Sequence, residues 1–280
     1  MGTGLIAYAG EPGAFAEDAV LAEFGDVERT GLGGFREVFE AVTDGRARLG
    51  VVPIENLVNG SVREVYDLLL GHTLSIVGEV VVPVDLCLAA LEGTTIDNVD
   101  RVYSHIQALG QAERFLRTRP WSLLTTYNTA GAGRFIIAQG DRRAAAVLSR
   151  RAAAALGMDV LAESIQDEPE NRTRFLVLSA AEGTLAGFAA GTPSRACRTT
   201  LAFGVRNEPG TLLAGLRVFA ERGINMSKLE SRPSRAADWE YVFWADLDAD
   251  AGEPACAEAL DALRAVATMV RVLGTYPRST

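Results

Sequence analysis

Residues 5–24 read LIAYAGEPGAFAEDAVLAEF. Leu5–Ala9 is a short apolar run of strand character. Gly10–Ala14 is a turn with two glycines and a proline, and Phe15–Phe24 places apolar residues at helical spacing. A buried strand that passes through a glycine turn into a helix is the opening unit of an α/β sheet. The pattern continues with a helix predicted at Phe35–Val42 and a strand at Leu49–Ile54. Ser61 and Glu64 make an S-x-x-E cap ahead of the apolar run Val65–Leu70, which Gly71 ends. Such alternation predicts a largely parallel sheet.

Further along, Leu74–Val82 and Asp85–Leu91 are rich in strand formers and are separated by Pro83. Strands are then expected at Arg101–Ser104, Leu123–Thr126, Ala144–Leu148 and Arg174–Leu178. Helices are expected at Gln107–Leu116, Thr129–Ala138 and Arg150–Leu156. The second set of units matches the first in size. This predicts two α/β lobes with a cleft between them, crossed near Val82–Asp85 and Ser164–Asn171.

Residues 181–196, rich in Ala, Gly, Thr, Ser and Pro, are expected to be a linker between a domain at 1–180 and another at 197–280. The second domain reads strand Thr199–Val205, helix Thr211–Arg222, strand Asn225–Glu230, strand Glu240–Asp246, helix Ala255–Val266 and strand Val270–Thr275. That order is βαββαβ, the ferredoxin-like arrangement.

Composition narrows the function. A net charge of −9 repels polyanions, so neither nucleic acid nor an anionic membrane is an expected partner. Cys87, Cys197 and Cys256 are far apart and odd in number, which fits neither a zinc site nor a disulfide framework. With only two histidines, His72 and His105, no His-rich metal site is expected. The first residues lack the basic flank and length of a signal peptide, and no apolar stretch is long enough to span a membrane. These features predict a soluble cytoplasmic protein of a reducing compartment.

Five short segments carry polar groups at the ends of apolar strands, where open α/β sheets bind ligands. Gly10–Phe15 either offers backbone N–H groups to an anion or is simply a tight turn. Pro53-Ile54-Glu55-Asn56 sets a carboxylate and an amide directly after a strand. Ser104-His105-Ile106-Gln107 brings hydroxyl, imidazole and amide to a strand–helix junction. Thr126–Ala132 suits either ligand approach or N-capping. Asn171-Arg172-Thr173-Arg174-Phe175 joins a hydroxyl, two guanidiniums and a ring. No nucleophile–base pair, zinc spacing or cofactor fingerprint occurs among them. The set suits holding an anion and donating hydrogen bonds to it.

In this order and spacing, the five segments resemble those of prephenate dehydratases, and arogenate dehydratases are similar. The C-terminal part resembles an ACT domain through Glu208-Pro209-Gly210-Thr211-Leu212-Leu213 and Glu230-Ser231-Arg232-Pro233. The resemblance covers nearly the whole chain. It implies a two-lobed catalytic domain of periplasmic-binding-protein type followed by a ferredoxin-like ACT domain. It implies cofactor-free conversion of prephenate to phenylpyruvate, with loss of carbon dioxide and the ring hydroxyl, driven by aromatisation.

By the same resemblance, Thr173, Glu55 and Asn56 would be catalytic, with Thr173 donating to the departing hydroxyl. Arg174 would grip a carboxylate. Phe175, Ser104, Gln107, Thr129, Ala130, Gly13 and Phe15 would complete the substrate site, and His105 would stand behind it. Phenylalanine would bind as effector at Asn207, Gly210, Thr211, Leu212, Glu230, Ser231, Arg232 and Pro233. Pairing of ACT domains would make a homodimer or homotetramer.

The chain departs from the family pattern at Leu57, where serine is usual, and at Ile106, where proline is usual. Ala14, Ala16 and Asn128 also differ. These departures keep two neighbouring activities open: arogenate dehydration and decarboxylation of prephenate without aromatisation. A non-catalytic ligand-binding module is the reading from another class.

Overall fold

The computed structural model describes residues 4–181, 196–233 and 241–279. Residues 182–195 of the expected linker therefore lie outside the described residues, as does Glu240 of an expected strand. The chain divides into two compact units. One comprises Met1–Gly71 and Val80–Phe175, and the other His72–Glu79 and Leu176–Thr280. His72–Glu79, expected within the 1–180 domain, thus belongs with the C-terminal residues.

The first half of the chain runs β1 (Ile6–Ala9), α1 (Phe15–Phe24), β2 (Arg29–Leu32), α2 (Phe35–Thr43), β3 (Leu49–Asn56), β4 (Gly60–Ser61), α3 (Arg63–Gly71) and β5 (Ser75–Pro83). After β6 (Leu86–Ala90) come β7 (Arg101–Ser104), α4 (Ile106–Gln111), α5 (Glu113–Leu116), β8 (Ser122–Thr125), α6 (Thr129–Gln139), β9 (Ala144–Ser149), α7 (Arg150–Ala155), β10 (Asp159–Ala162) and β11 (Arg172–Ser179). One sheet has the order β2-β1-β3-β11-β5, with β4 folded onto β3. The other has the order β10-β6-β9-β7-β8. The chain passes from the first to the second between β5 and β6 and returns between β10 and β11. These are the two crossings of a bilobal α/β fold.

The first lobe keeps the expected parallel pairing, with β1 parallel to β2 and β3. The second sheet is mixed, a correction to the largely parallel expectation. There β7 runs parallel to β8 and β9, whereas β6 is antiparallel to both β9 and β10. The reason lies in the crossing: β6 is where the chain enters this lobe, so it follows no strand–helix–strand connection and opposes both neighbours, whereas β10 follows β9 through α7 and shares its direction.

Helices cover both faces of the second sheet, and strand alternation assigns its side chains. Leu86, Leu88, Ala145 and Val147 face the α4–α5 side, where they meet Leu109 and Leu116. Cys87, Ala89, Ala146 and Leu148 face α6 and α7, where they meet Ile136 and Ala152. A strand buried on both sides is apolar throughout, which is why β9 reads Ala-Ala-Ala-Val-Leu. Each fully buried leucine here stabilises the fold by about 1.5–3 kcal/mol.

The single helix expected at Gln107–Leu116 is two, broken at Ala112. Asp167 holds the break: its backbone N–H donates to Gln111 O across 2.6 Å, and its carboxylate accepts from Arg114 N across 3.1 Å. That capping group lies far away in sequence, so helical periodicity alone does not reveal the break.

The C-terminal unit contains β12 (Cys197–Gly204), α8 (Thr211–Ala220), β13 (Met226–Pro233), β14 (Tyr241–Leu247), α9 (Pro254–Val266) and β15 (Met269–Pro277). Its sheet order β13-β14-β12-β15, antiparallel throughout, is the ferredoxin-like order read from the sequence. Leu201, Phe203, Ala245 and Leu247 form a core with Phe219, Leu260 and Leu263 from the helices.

Thr200 and Asp246 are also buried, and Thr200 Oγ1 donates to Asp246 Oδ1 across 2.7 Å. Within the same unit, Glu79 and Arg198 form a buried ion pair, and Ser279 N donates to Glu79 Oε1 across 2.9 Å. Gly274 lets Ile76 approach, because a Cβ there would lie 2.0 Å from Ile76 O.

Candidate active site

Strand β3 ends in Glu55 and Asn56, and β11 begins beside it, with Leu57 N donating to Arg172 O across 3.0 Å. Neighbouring strand residues face opposite ways, so two separate side-chain pairs form. Asn56 Nδ2 donates to Thr173 Oγ1 across 2.9 Å. On the other side, Arg174 Nη2 meets Glu55 Oε2 at 3.2 Å. Asn56 and Thr173, 117 positions apart, thus meet on one side of the strand pair, and Glu55 and Arg174 meet on the other.

The orientation of the Asn56 amide is fixed by the turn that follows. Asn56 Oδ1 accepts from Val58 N at 3.1 Å and from Asn59 N at 2.9 Å. Two backbone donors require an oxygen there, so the NH₂ group faces β11. It donates to Asn171 Oδ1 at 2.9 Å as well as to Thr173. The Thr173 oxygen is thus an acceptor from Asn56, and its own proton does not go to that amide.

Other expected site residues are more deeply committed to structure. Ser104 is fully buried, and its hydroxyl donates to Val147 O across 2.6 Å. Phe175 is buried, at 2% exposure. His105 caps α4, its Nδ1 accepting from Gln107 N at 3.4 Å, and Gln107 itself is exposed. Thr129 opens α6 and is half-buried, while Ala130 is buried beneath it.

The Gly10–Phe15 turn is not an open anion cradle. Gly13 N donates to Glu17 Oε2 across 2.8 Å, and Gly13 O accepts from Ser149 Oγ. Gly13 has φ 97°, and a Cβ there would lie 2.8 Å from that of Ala152. Phe15 packs against the core of the other lobe. The turn therefore joins the lobes.

Charges that no sequence motif announces reinforce this junction. Arg151 on α7 binds Glu17 at 2.9 Å and also Asp18, both on α1, and Arg29 Nε binds Glu17 at 2.7 Å. Burial alone would raise the Glu17 carboxyl. The Gly13 N–H and the two guanidiniums outweigh it and hold the group below its ordinary value. Burial raises Asp18 instead. Asn128 was seen only as a departure; its Oδ1 caps α6 at Gly131 N and its Nδ2 donates to Glu11 Oε1 across 3.3 Å. The Asn128–Gly131 cap is local, but the ion pairs and the Asn128–Glu11 hydrogen bond have no local sequence signal, since each partner lies on another element.

In the C-terminal unit, Gly210 caps α8 with φ 86° and without a side-chain cap. Asn207 and Gly210 are exposed, and Thr211 Oγ1 donates to Arg206 O and Glu208 O. Leu212 packs on the core. Glu230, Ser231, Arg232 and Pro233 lie on the outermost strand, β13, where Glu230 faces Lys228 at 3.6 Å.

Residues 6–183 match the family model for prephenate dehydratase. The chain belongs to the prephenate dehydratase family. Residues 199–265 match the model for the ACT domain. Among relatives of this dehydratase, the bifunctional chorismate mutase/prephenate dehydratase of Aquifex aeolicus is 37% identical, over 98% of this chain and 74% of that protein. An arogenate dehydratase/prephenate dehydratase of Arabidopsis thaliana is 38% identical, over 98% of this chain and 73% of its own length.

A solved prephenate dehydratase from Arthrobacter aurescens, in complex with L-Phe, superposes with TM-score 0.88 at 30% identity, covering 98% of this chain and 90% of that one. A structure described as GqqA, a novel type of quorum quenching acylase, also superposes with TM-score 0.88, at 31% identity and covering 98% of both chains.

Proposed function

We propose that this dehydratase converts prephenate to phenylpyruvate and that phenylalanine regulates it through the ACT unit. The observation that carries the reading is the polarity of the Asn56–Thr173 hydrogen bond. An amide that donates to Thr173 Oγ1 polarises the hydroxyl and leaves its proton for an oxygen of the substrate. In the reaction, the bond to the ring carboxylate breaks and carbon dioxide leaves. That electron pair shifts through the ring and expels the hydroxyl opposite, completing an aromatic ring. Thr173 supports the leaving oxygen as a hydrogen-bond donor, since a free threonine hydroxyl is a poor acid.

Arg174, steadied by Glu55, supplies positive charge at the same strand junction for a dianionic substrate. Phe175, Ser104 and Ala130 shape the pocket wall from within, and Gln107 and Thr129 face it from the second lobe. Gly13 and Phe15 hold the lobes at working distance. The chemistry needs no cofactor or metal. The open N-terminus of α8, with Asn207, Gly210, Thr211 and Leu212, suits the carboxylate of phenylalanine. Residues Glu230–Pro233 on the outermost strand suit pairing with a second copy, giving a homodimer or homotetramer. Among the described residues no helix is long and apolar enough to cross a membrane; the proposed location is the cytoplasm.

Mass analysis of the product from prephenate, with and without phenylalanine, tests this. Loss of carbon dioxide and water, altered by phenylalanine, supports the reading. Loss of carbon dioxide alone establishes the non-aromatising decarboxylase. The structural neighbour named as an acylase gives a second reading. It is favoured by Leu57, Val58 and Ile106, apolar residues exposed beside Asn56 and Ser104, which suit an acyl chain. Hydrolysis of an N-acyl amide with no turnover of prephenate would replace the first reading by the second.

A further inference from the structure

We infer that Asn171 is a positioning residue for the Thr173 hydroxyl, acting through the amide of Asn56. The inference rests on the reading of Thr173 as hydrogen-bond donor to substrate. Asn171 is 2% exposed and sits immediately before β11. Its backbone is held on both sides: its N–H donates to Glu168 O at 3.2 Å, and its carbonyl accepts from Val84 N at 2.9 Å. Val84 and Asn171 lie on the two crossings between the lobes, so this hydrogen bond ties one crossing to the other.

The side chain continues a chain of fixed polarity. Val58 N and Asn59 N set the oxygen of Asn56, which sets its NH₂ toward Asn171 and Thr173. Asn171 must then present its own oxygen to Asn56, since two NH₂ groups would oppose each other. That choice leaves Asn171 Nδ2 buried with no partner among the described residues. A buried donor without an acceptor destabilises a fold, and a residue that merely filled this space would not leave one. The oxygen of Asn171 is what the site uses. It takes one hydrogen of the Asn56 amide and leaves the other to Thr173 Oγ1 at 2.9 Å, shared with the longer contact to Arg172 O at 3.2 Å.

The test is a mutant cycle on the full-length protein, with kcat, KM and thermal midpoint measured on prephenate. Asn171→Leu is expected to lower kcat about tenfold while KM stays within about twofold, the loss of one hydrogen bond expressed in the transition state. Asn171→Asp keeps an oxygen toward Asn56 and is expected to recover most of that loss. In a Thr173→Ala background, Asn171→Leu is expected to change kcat by less than about twofold, because its route of action is gone. Should the leucine variant not fold, Asn171→Ala takes its place in the cycle.

Unchanged kcat in Asn171→Leu overturns the inference. So does an aspartate variant no better than the leucine, or losses that multiply in the double variant. A Thr173→Ala protein with full turnover fails the reading of Thr173 itself. Multiplying losses on top of a Thr173→Ala protein of much reduced turnover fail only the role of Asn171.

Discussion

Thr173 receives a hydrogen bond from Asn56 across 2.9 Å, and that amide cannot be reversed, because Val58 N and Asn59 N hold its oxygen. The threonine proton is therefore not spent on that amide. Preorganisation of this kind places the donor without reorganisation at the moment of reaction.

Thr173→Ala is expected to lower kcat on the order of 10²–10³-fold while substrate affinity changes little. Isothermal titration with prephenate and a turnover assay check the two halves. Unchanged turnover would remove Thr173 from the mechanism.

Asn56→Asp reverses the polarity at the same point. One carboxylate oxygen still accepts from Val58 N and Asn59 N, and the other would draw the Thr173 proton toward itself. Turnover is expected to fall about as far as in Thr173→Ala, on the order of 10²-fold or more, although the protein folds. Comparison of circular dichroism with steady-state rates checks this.

Gly13→Ala is expected to destabilise the first unit by about 1–3 kcal/mol, combining backbone strain at φ 97° with a 2.8 Å approach to Ala152 Cβ. A second change, Ala152→Gly, relieves the contact with the Ala152 Cβ but neither the 3.0 Å approach to its Cα nor the backbone strain. Urea unfolding of the single and double variants separates that contact from the rest.

Glu17 gives a pH dependence of known sign. Its folded-state carboxyl titrates below its ordinary value, so the stability it contributes is complete above the ordinary carboxylate range. That contribution is lost as pH falls through the depressed value. Asp18, raised by burial, works in the opposite direction. Glu17→Gln is expected to lower the thermal midpoint at pH 7 and to narrow its gap from wild type as the pH falls toward 3. A gap that stays constant over this range would show that the carboxylate charge is not the source.

Cys87 is expected to resist alkylation in the folded protein at pH 8. It is 2% exposed, and burial, with Asp85 nearby, pushes its thiol up to about 11. Mass spectrometry after iodoacetamide treatment, with and without denaturant, checks this.

Much of the molecule was legible in the chain. The ferredoxin-like element order of the C-terminal unit followed from apolar runs and periodicity: β12 is buried along nearly its whole length, whereas exposure alternates along β13. The members of the site were visible as polar residues at the ends of apolar strands, with Glu55 and Asn56 closing β3 and Thr173 and Arg174 opening β11. Strand β2 was missed because Arg29–Leu32 is short and only half-buried, without an apolar run to mark it. The break at Ala112 was missed because Asp167 makes it from a distance.

The sequence by itself determined which residues are polar where a strand ends, and the order of most of the elements. Those are local properties, carried by alternation and by turn residues. Only the tertiary structure decided the partners. It turned Gly13 from an anion cradle into a lobe contact, assigned Arg174 to Glu55, grouped His72–Glu79 with the C-terminal unit through Arg198, and gave the amide of Asn56 its direction. Each of these depends on groups brought within about 3 Å from distant parts of the chain, and hydrogen-bond polarity is set by the partner, which the residue's own neighbours in sequence do not specify.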